Sequence, residues 1–128
     1  MQLKGKLTIL KLGGSVITEK DKPFTPNVHA IKRLAEEISR ANLKSLIIIH
    51  GGGSYGHPIA KKYGIAEGFK NESQLFGVSE THGAMVTLNS LLIKRLLEYG
   101  LPAFSFSPSS FIVTRNGRIE TFNEEILK

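Results

Sequence analysis

Apolar and polar positions change period several times along the chain, and each change marks an element. Residues 6–12 carry Leu7, Ile9, Leu10 and Leu12, a strand pattern that ends at Gly13-Gly14-Ser15. Val16 and Ile17 then lead into a polar loop, Thr18 to Lys22. Thr25-Pro26 reads as an N-cap followed by proline in the first helical position. The helix it opens, 26–42, places Val28, Ile31, Leu34, Ala35, Ile38 and Ala41 on one face. Leu46 to Ile49 is a short apolar run closed by His50, a buried strand over 45–50. Gly51, Gly52 and Gly53 follow, then Ser54, Tyr55, Gly56 and His57, and Pro58 to Tyr63 continues as a short helix with Pro58 in its first turn. Residues 64–77 lack periodicity and read as a loop. A long helix spans Val78 to Tyr99, capped by Ser79, with Met85, Leu88, Leu92 and Leu96 as its stripe and Ala84 and Leu91 beside it. Gly100 and Pro102 stop it. Residues 102–107 form a third strand candidate, and 111–114 and 118–122 alternate across Asn116-Gly117 as a hairpin. A last helix starts at Asn123.

Strands alternating with helices predict an α/β fold, a mostly parallel sheet covered on both faces, with a β-hairpin near 111–122. A chain of 128 residues is one modest domain, and its 41 % apolar and 22 % charged content is that of a soluble globular protein. No internal repeat or low-complexity linker interrupts it. The absence of cysteine removes disulfides and thiolate metal sites and fits a reducing, cytoplasmic setting. No run approaches the ~20 apolar residues of a membrane span, and the start MQLKGK does not read as a leader. The net charge of +6 suits anionic partners. The basic residues are scattered, without interleaved aromatics, so a phosphorylated small molecule is favoured over nucleic acid.

The chemistry lies in the two glycine loops. A strand, a glycine turn and a helix N-terminus direct free N–H groups and a positive dipole end at one place, which makes an anion site. The letters of the second loop fit three patterns. Gly51, Gly53 and Gly56 match the dinucleotide fingerprint, but Glu72, at the spacing of the ribose-binding acid, lies outside any strand pattern. Gly52, Ser54 and Gly56 match a nucleophile elbow, and His50 to Gly53 match an oxyanion loop. In hydrolases these are separate segments, and here they overlap; His82 is the histidine left to complete a triad. The third pattern uses both loops. Lys11-Leu12-Gly13-Gly14-Ser15 closes the first strand as His50-Gly51-Gly52-Gly53-Ser54 closes the second. Two anion cradles at the carboxyl ends of neighbouring parallel strands suit a donor phosphate and an acceptor phosphate.

The order K-x-G-G-S…I-T-x-K followed by H-G-G-G-S-[aromatic]-G-H resembles the amino-acid kinase superfamily. Within it, ILKLGGSVITEK and HGGGSYGHPIAKKYG resemble the isopentenyl phosphate kinases, with His57 carrying the narrower match. The resemblance implies a three-layer αβα sandwich and transfer of the ATP γ-phosphoryl group to isopentenyl phosphate, giving isopentenyl diphosphate for isoprenoid biosynthesis, with ATP and Mg2+ and a homodimeric full-length enzyme. Such kinases are about twice as long as this chain. The expectation is therefore that residues 1–128 form the N-terminal, acceptor-binding part, that the C-terminal nucleotide-binding part is absent, and that the chain alone is inactive. A kinase of another small phosphate or of a carboxylate such as glutamate or acetylglutamate remains open, as does a noncatalytic anion-binding module.

The resemblance also implies roles. Lys11, with Gly13, Gly14 and Ser15, would take the donor's β and γ oxygens, and Lys20 would stabilise the moving phosphoryl group. Gly52 and Gly53 would hold the acceptor phosphate and the transferred group of the nucleotide by N–H bonds, His57 would bind the acceptor phosphate, and His50 would order the loop. Phe76, with Val78, His82, Met85 and Val86, is a candidate wall for the isopentenyl tail, although a Met/Leu stripe at helical spacing is commonly core. Magnesium would be held chiefly by phosphates and water, with no metal ligand from this chain.

Overall fold

The computed structural model describes residues 5–127; the leader reading at residues 1–4 and the last residue, Lys128, lie outside them. Strand β1 (Thr8–Leu12) leads through a single helical turn, α1 (Gly14–Ile17), to helix α2 (Val28–Arg40) and strand β2 (Leu46–His50). Helix α3 (Gly53–Lys62) follows, then the long helix α4 (Ser73–Glu98) and an antiparallel pair, β3 (Ile112–Arg115) and β4 (Arg118–Phe122). The chain is thus α/β with parallel strands and a hairpin, as the periodicity predicts.

β1 and β2 pair in parallel, with Leu10 opposite Ile48 and Leu12 opposite His50. Alternation along a strand sends Leu10, Leu12, Leu46 and Ile48 to one face. There they meet α2 and α4 through two apolar clusters, one around Leu12, Ile17, Ile31, Tyr55, Leu88 and Leu92, the other around Ala35, Ile38 and Leu96. Leu88 is completely buried, and a large aliphatic side chain taken fully out of water stabilises the fold by ~1.5–3 kcal/mol. The alternate residues Ile9 and Ile49 face the other way and are exposed among the described residues.

Three helix starts and one predicted strand differ from the sequence reading, each for a local reason. Helix α2 starts at Val28 because Asn27, not Thr25, caps it: Asn27 Oδ1 accepts from the Ala30 N–H at 3.0 Å. Pro26 stays outside the helix, in an isolated bridge with Thr18. Helix α3 starts at Gly53, so Pro58 is inside it, not in its first turn. Helix α4 starts at Ser73 and leaves Ser79 in its interior. Its buried Gln74 replaces the expected loop cap: Oε1 accepts from Lys70 N–H at 2.5 Å, and Nε2 donates to the carbonyls of Tyr63, Gly64 and Gly68 at 3.0–3.2 Å. Residues 102–107 form no ladder; Leu101 and Ala103 pack on the second cluster while Phe104 stands in solvent.

Other punctuation is as predicted. Gly100 ends α4 at φ 78°, with Leu101 N–H reaching Leu96 O at 3.0 Å and Gly100 N–H reaching Leu97 O at 2.9 Å, the paired bonds of a left-handed cap. Asn116 and Gly117 both have positive φ, the turn that the twist of a two-residue hairpin favours. The last turn, Glu124–Leu127, is a 3-10 helix.

Gly77, which the sequence assigned to a loop, lies buried in α4 because Tyr63 covers it: a Cβ there would come within 2.6 Å of the Tyr63 Cβ. Gly83, in the same helix, has open space around the same position. Gly77→Ala should therefore destabilise the chain by about 1–2 kcal/mol, since overpacking outweighs helix propensity. Gly83→Ala should stabilise it by up to ~1 kcal/mol. Urea denaturation of both variants checks the opposite signs.

Candidate functional site

The β1–β2 register brings the two glycine loops together. Leu12 lies opposite His50, and Gly51 N–H continues the ladder to Leu12 O at 2.9 Å. Beyond that point the loops touch backbone to backbone. A Cβ on Gly14 would lie 2.7 Å from the Gly53 Cα, and a Cβ on Gly51 would lie 2.7 Å from the Gly14 nitrogen. Gly53 has φ 47° and is also crowded, with the Gly14 carbonyl oxygen 2.5 Å from where its Cβ would be. The glycines at 14, 51 and 53 are therefore required by close approach, and at 53 by conformation as well.

Thr18 and Ser54 fasten this contact. Thr18 is 1 % exposed and Ser54 5 %, so each polar atom must find a partner inside the protein. Thr18 Oγ1 donates to Gly14 O at 2.6 Å and accepts from Ser54 N–H at 3.0 Å, which ties one loop to the other through a single hydroxyl. Ser54 Oγ donates to Thr25 O at 3.3 Å. Pro58 completes the tie. Proline has no N–H, so the carbonyl four residues back, on Ser54, has no intrahelical partner. Phe24 N–H takes that carbonyl at 3.0 Å, and the Phe24 ring meets Tyr55 edge-to-face at 6.0 Å. The segment 18–25, which carries Lys20, is thereby docked on α3. Burial pushes the Tyr55 phenol above its ordinary pKa, so the group beneath the loop is neutral.

Helix geometry leaves the N–H groups of Gly14 and Ser15, the first two residues of α1, and of Gly53, the first of α3, without intrahelical acceptors. Gly13 and Gly52 occupy the two cap positions. Gly13, Gly14, Ser15, Gly52 and Gly53 therefore meet at one edge of the sheet. Lys11 is exposed one residue before the end of β1, paired with Ile49, and Lys20 is exposed on the docked segment. His57 is exposed on the fifth residue of α3, one turn further in than the sequence suggested. Phe76 stands 70 % exposed in the first turn of α4. Met85 reaches the loop: its Sδ would lie 2.7 Å from a Cβ on Gly52. His50 is held on both ring nitrogens, by Gly51 O at 3.0 Å on Nδ1 and by Asn89 Nδ2 at 3.0 Å on Nε2.

The same geometry disposes of two patterns. Ser54 Oγ is buried and committed to Thr25, unlike an exposed nucleophile, and His82 is exposed on α4. Glu72 precedes a helix, not a strand end. Sequence reasoning did not single out Asn89 and Gln74, because a polar residue at a helical spacing carries no signal of its partner. Among the described residues no group of three or more His, Asp or Glu could hold a metal ion, and no helix is long and apolar enough to cross a membrane.

The model of the Amino acid kinase family matches residues 6–128. The chain belongs to the amino acid kinase family. Among its relatives, the isopentenyl phosphate kinase of Methanothermobacter thermautotrophicus is 44 % identical over 119 residues, covering 88 % of this chain and 44 % of that protein. A solved isopentenyl phosphate kinase superposes with a TM-score of 0.86 at 42 % identity, covering 93 % of this chain and 51 % of its own. The product complex of the T. acidophilum isopentenyl phosphate kinase gives 0.80 at 32 %, covering 95 % and 49 %. This amino acid kinase family chain therefore spans about half the length of the relatives it matches.

Thr18→Val removes the hydroxyl bridge and leaves Ser54 N–H unpaired in a buried place, while Gly14 O keeps the Thr18 backbone N–H at 3.0 Å. It should cost about 1–3 kcal/mol, the scale of one unsatisfied buried donor. Thr18→Ser, which keeps the hydroxyl, should recover most of that in the same denaturation experiment.

Proposed function

We propose that this chain is the acceptor-binding part of an ATP-dependent kinase that phosphorylates isopentenyl phosphate to isopentenyl diphosphate. The observation that carries the proposal is the pair of glycine loops interlocked at one strand-end edge, each with unpaired N–H groups. The similarity to isopentenyl phosphate kinases along nearly the whole chain supports the choice of acceptor.

The acceptor oxygen is already anionic on a phosphate near neutral pH, so no general base has to create the nucleophile. What remains is positioning and charge neutralisation of an in-line transfer. In this reading Gly52 and Gly53 N–H groups and His57 hold the acceptor phosphate, with His57 distinguishing a phosphate from a carboxylate. Gly13, Gly14 and Ser15 face the β and γ oxygens of ATP, Lys11 neutralises them, and Lys20 follows the phosphoryl group as charge moves. A lysine ammonium suits both tasks, as a compact charge on a flexible stem. The docking of segment 18–25 on α3 supports the role of Lys20, because it ties its loop to the acceptor side. Phe76 and Met85 are the candidates for contact with the isopentenyl tail. Mg2+ would travel on the nucleotide's phosphates; the described residues offer it no carboxylate cluster.

The nucleotide-binding part belongs, in this reading, to the half of the relatives' length that the chain does not cover, and the full-length kinase is a cytoplasmic homodimer. The 128-residue chain should bind isopentenyl phosphate in calorimetry, bind ATP weakly or not at all, and turn over no ATP. His57→Ala should weaken isopentenyl phosphate binding about tenfold or more, the scale of a hydrogen bond to a charged group. Tighter binding of acetylglutamate than of isopentenyl phosphate, or normal turnover by the chain alone, would refute the assignment.

A further inference from the structure

We propose that Asn89 and His50 are positioning residues that clamp the Gly51–Gly52 peptide plane and so aim the Gly52 N–H at the acceptor phosphate. The aim at phosphate rests on the function proposed above; the clamp rests on geometry alone.

A peptide plane between two glycines is the least restrained in a chain, because neither flanking residue has a Cβ to limit its rotation. Gly51 and Gly52 are such a pair, and an N–H that must face a ligand needs an external hold. His50 supplies one. Its Nδ1 lies 3.0 Å from the carbonyl oxygen of Gly51, the next residue. A carbonyl oxygen only accepts, so Nδ1 carries the proton. In the neutral ring Nε2 then presents a lone pair, and Asn89 Nδ2, 3.0 Å away, donates to it. The two contacts select one tautomer, and that assignment follows from the hydrogen-bond network. A trans peptide is planar, with its C=O and N–H pointing in opposite directions. Holding the Gly51 carbonyl against the imidazole therefore turns the Gly52 N–H away from the ring.

The anchor is firm. Asn89 follows Leu88, which is completely buried, on a helix of 26 residues. His50 is the last residue of β2, fixed opposite Leu12. A functional group held by a packed helix and a paired strand keeps its direction better than one held by its loop. The first loop has a matching arrangement. Thr18 Oγ1 holds the Gly14 carbonyl at 2.6 Å, and the plane it fixes carries the Ser15 N–H.

Nitrogen-15 NMR of the chain reads the ring and the peptide separately. The unaltered chain should show the Nδ1–H tautomer at His50, and its Gly52 amide should shift on titration with isopentenyl phosphate. In Asn89→Leu the ring should move towards the Nε2–H form, the Gly52 response should be lost, and binding should weaken about tenfold, as for one charge-assisted hydrogen bond. Asn89→Ala, which raises helix propensity, is a second variant that carries no β-branched or bulky replacement. An Nε2–H or doubly protonated ring in the unaltered chain at neutral pH overturns the clamp. So does a changed tautomer that leaves the Gly52 response intact. If the ring behaves as stated but the Gly52 amide of the unaltered chain ignores isopentenyl phosphate, the aim at phosphate fails with the acceptor assignment, and the clamp on the plane stands.

Discussion

The two glycine loops can meet only because neither has a side chain where they touch. A single methyl group at Gly14, Gly51 or Gly53 would sit on backbone atoms of the opposite loop. That contact sets the spacing of β1 and β2 at their carboxyl ends, the start of α3, and the place where the unpaired N–H groups converge. It also explains why the surroundings are so thoroughly hydrogen-bonded. Glycine loops have high conformational entropy when free, and Thr18, Ser54 and His50 each remove some of that freedom by holding a named carbonyl or N–H. The fold supplies the proximity, and buried polar side chains supply the direction.

Assembly has an order implied by this arrangement. β1 and β2 are joined through α2 and its flanking loops, so their pairing is a non-local contact with a loop-closure cost. The apolar faces of α2 and α4 offset that cost by covering Leu10, Leu12, Leu46 and Ile48. Only when the strands are in register do the glycine loops reach each other. The charged side chains at the candidate site, Lys11, Lys20 and His57, are exposed and lie outside the apolar clusters, whereas the glycine contact beneath them is part of the packed structure.

Much of this was legible in the sequence, because periodicity reports burial. The stripe Ile31, Ala35 and Ile38 gave α2, Leu88, Leu92 and Leu96 gave α4, and Asn116-Gly117 gave the hairpin. The paired loops identified the edge where chemistry could occur. What was not legible depended on partners far away in the chain. Residues 102–107 have a strand's composition, but a strand is defined by a neighbour, and no ladder forms there. The first turn of α4 was hidden because its stabilising residue is a glutamine that bonds to carbonyls 6 to 11 positions earlier. Gly77 looked like a loop residue until Tyr63 was seen lying over it. His57 was recognisable by type and motif, while its position one turn inside α3 followed from where the helix starts.

Pro58 shows how an absent atom can organise a structure. At that position the usual conflict between proline and a helix becomes useful, since the carbonyl it leaves open is the one that receives Phe24. Any other residue there would return a donor to its own helix and compete with the docked segment for the same oxygen. Local helix stability and loop attachment therefore pull in opposite directions at residue 58. Replacing Pro58 to make α3 more robust would loosen the segment that carries Lys20, so a trade-off between helix stability and loop attachment is built into one side chain.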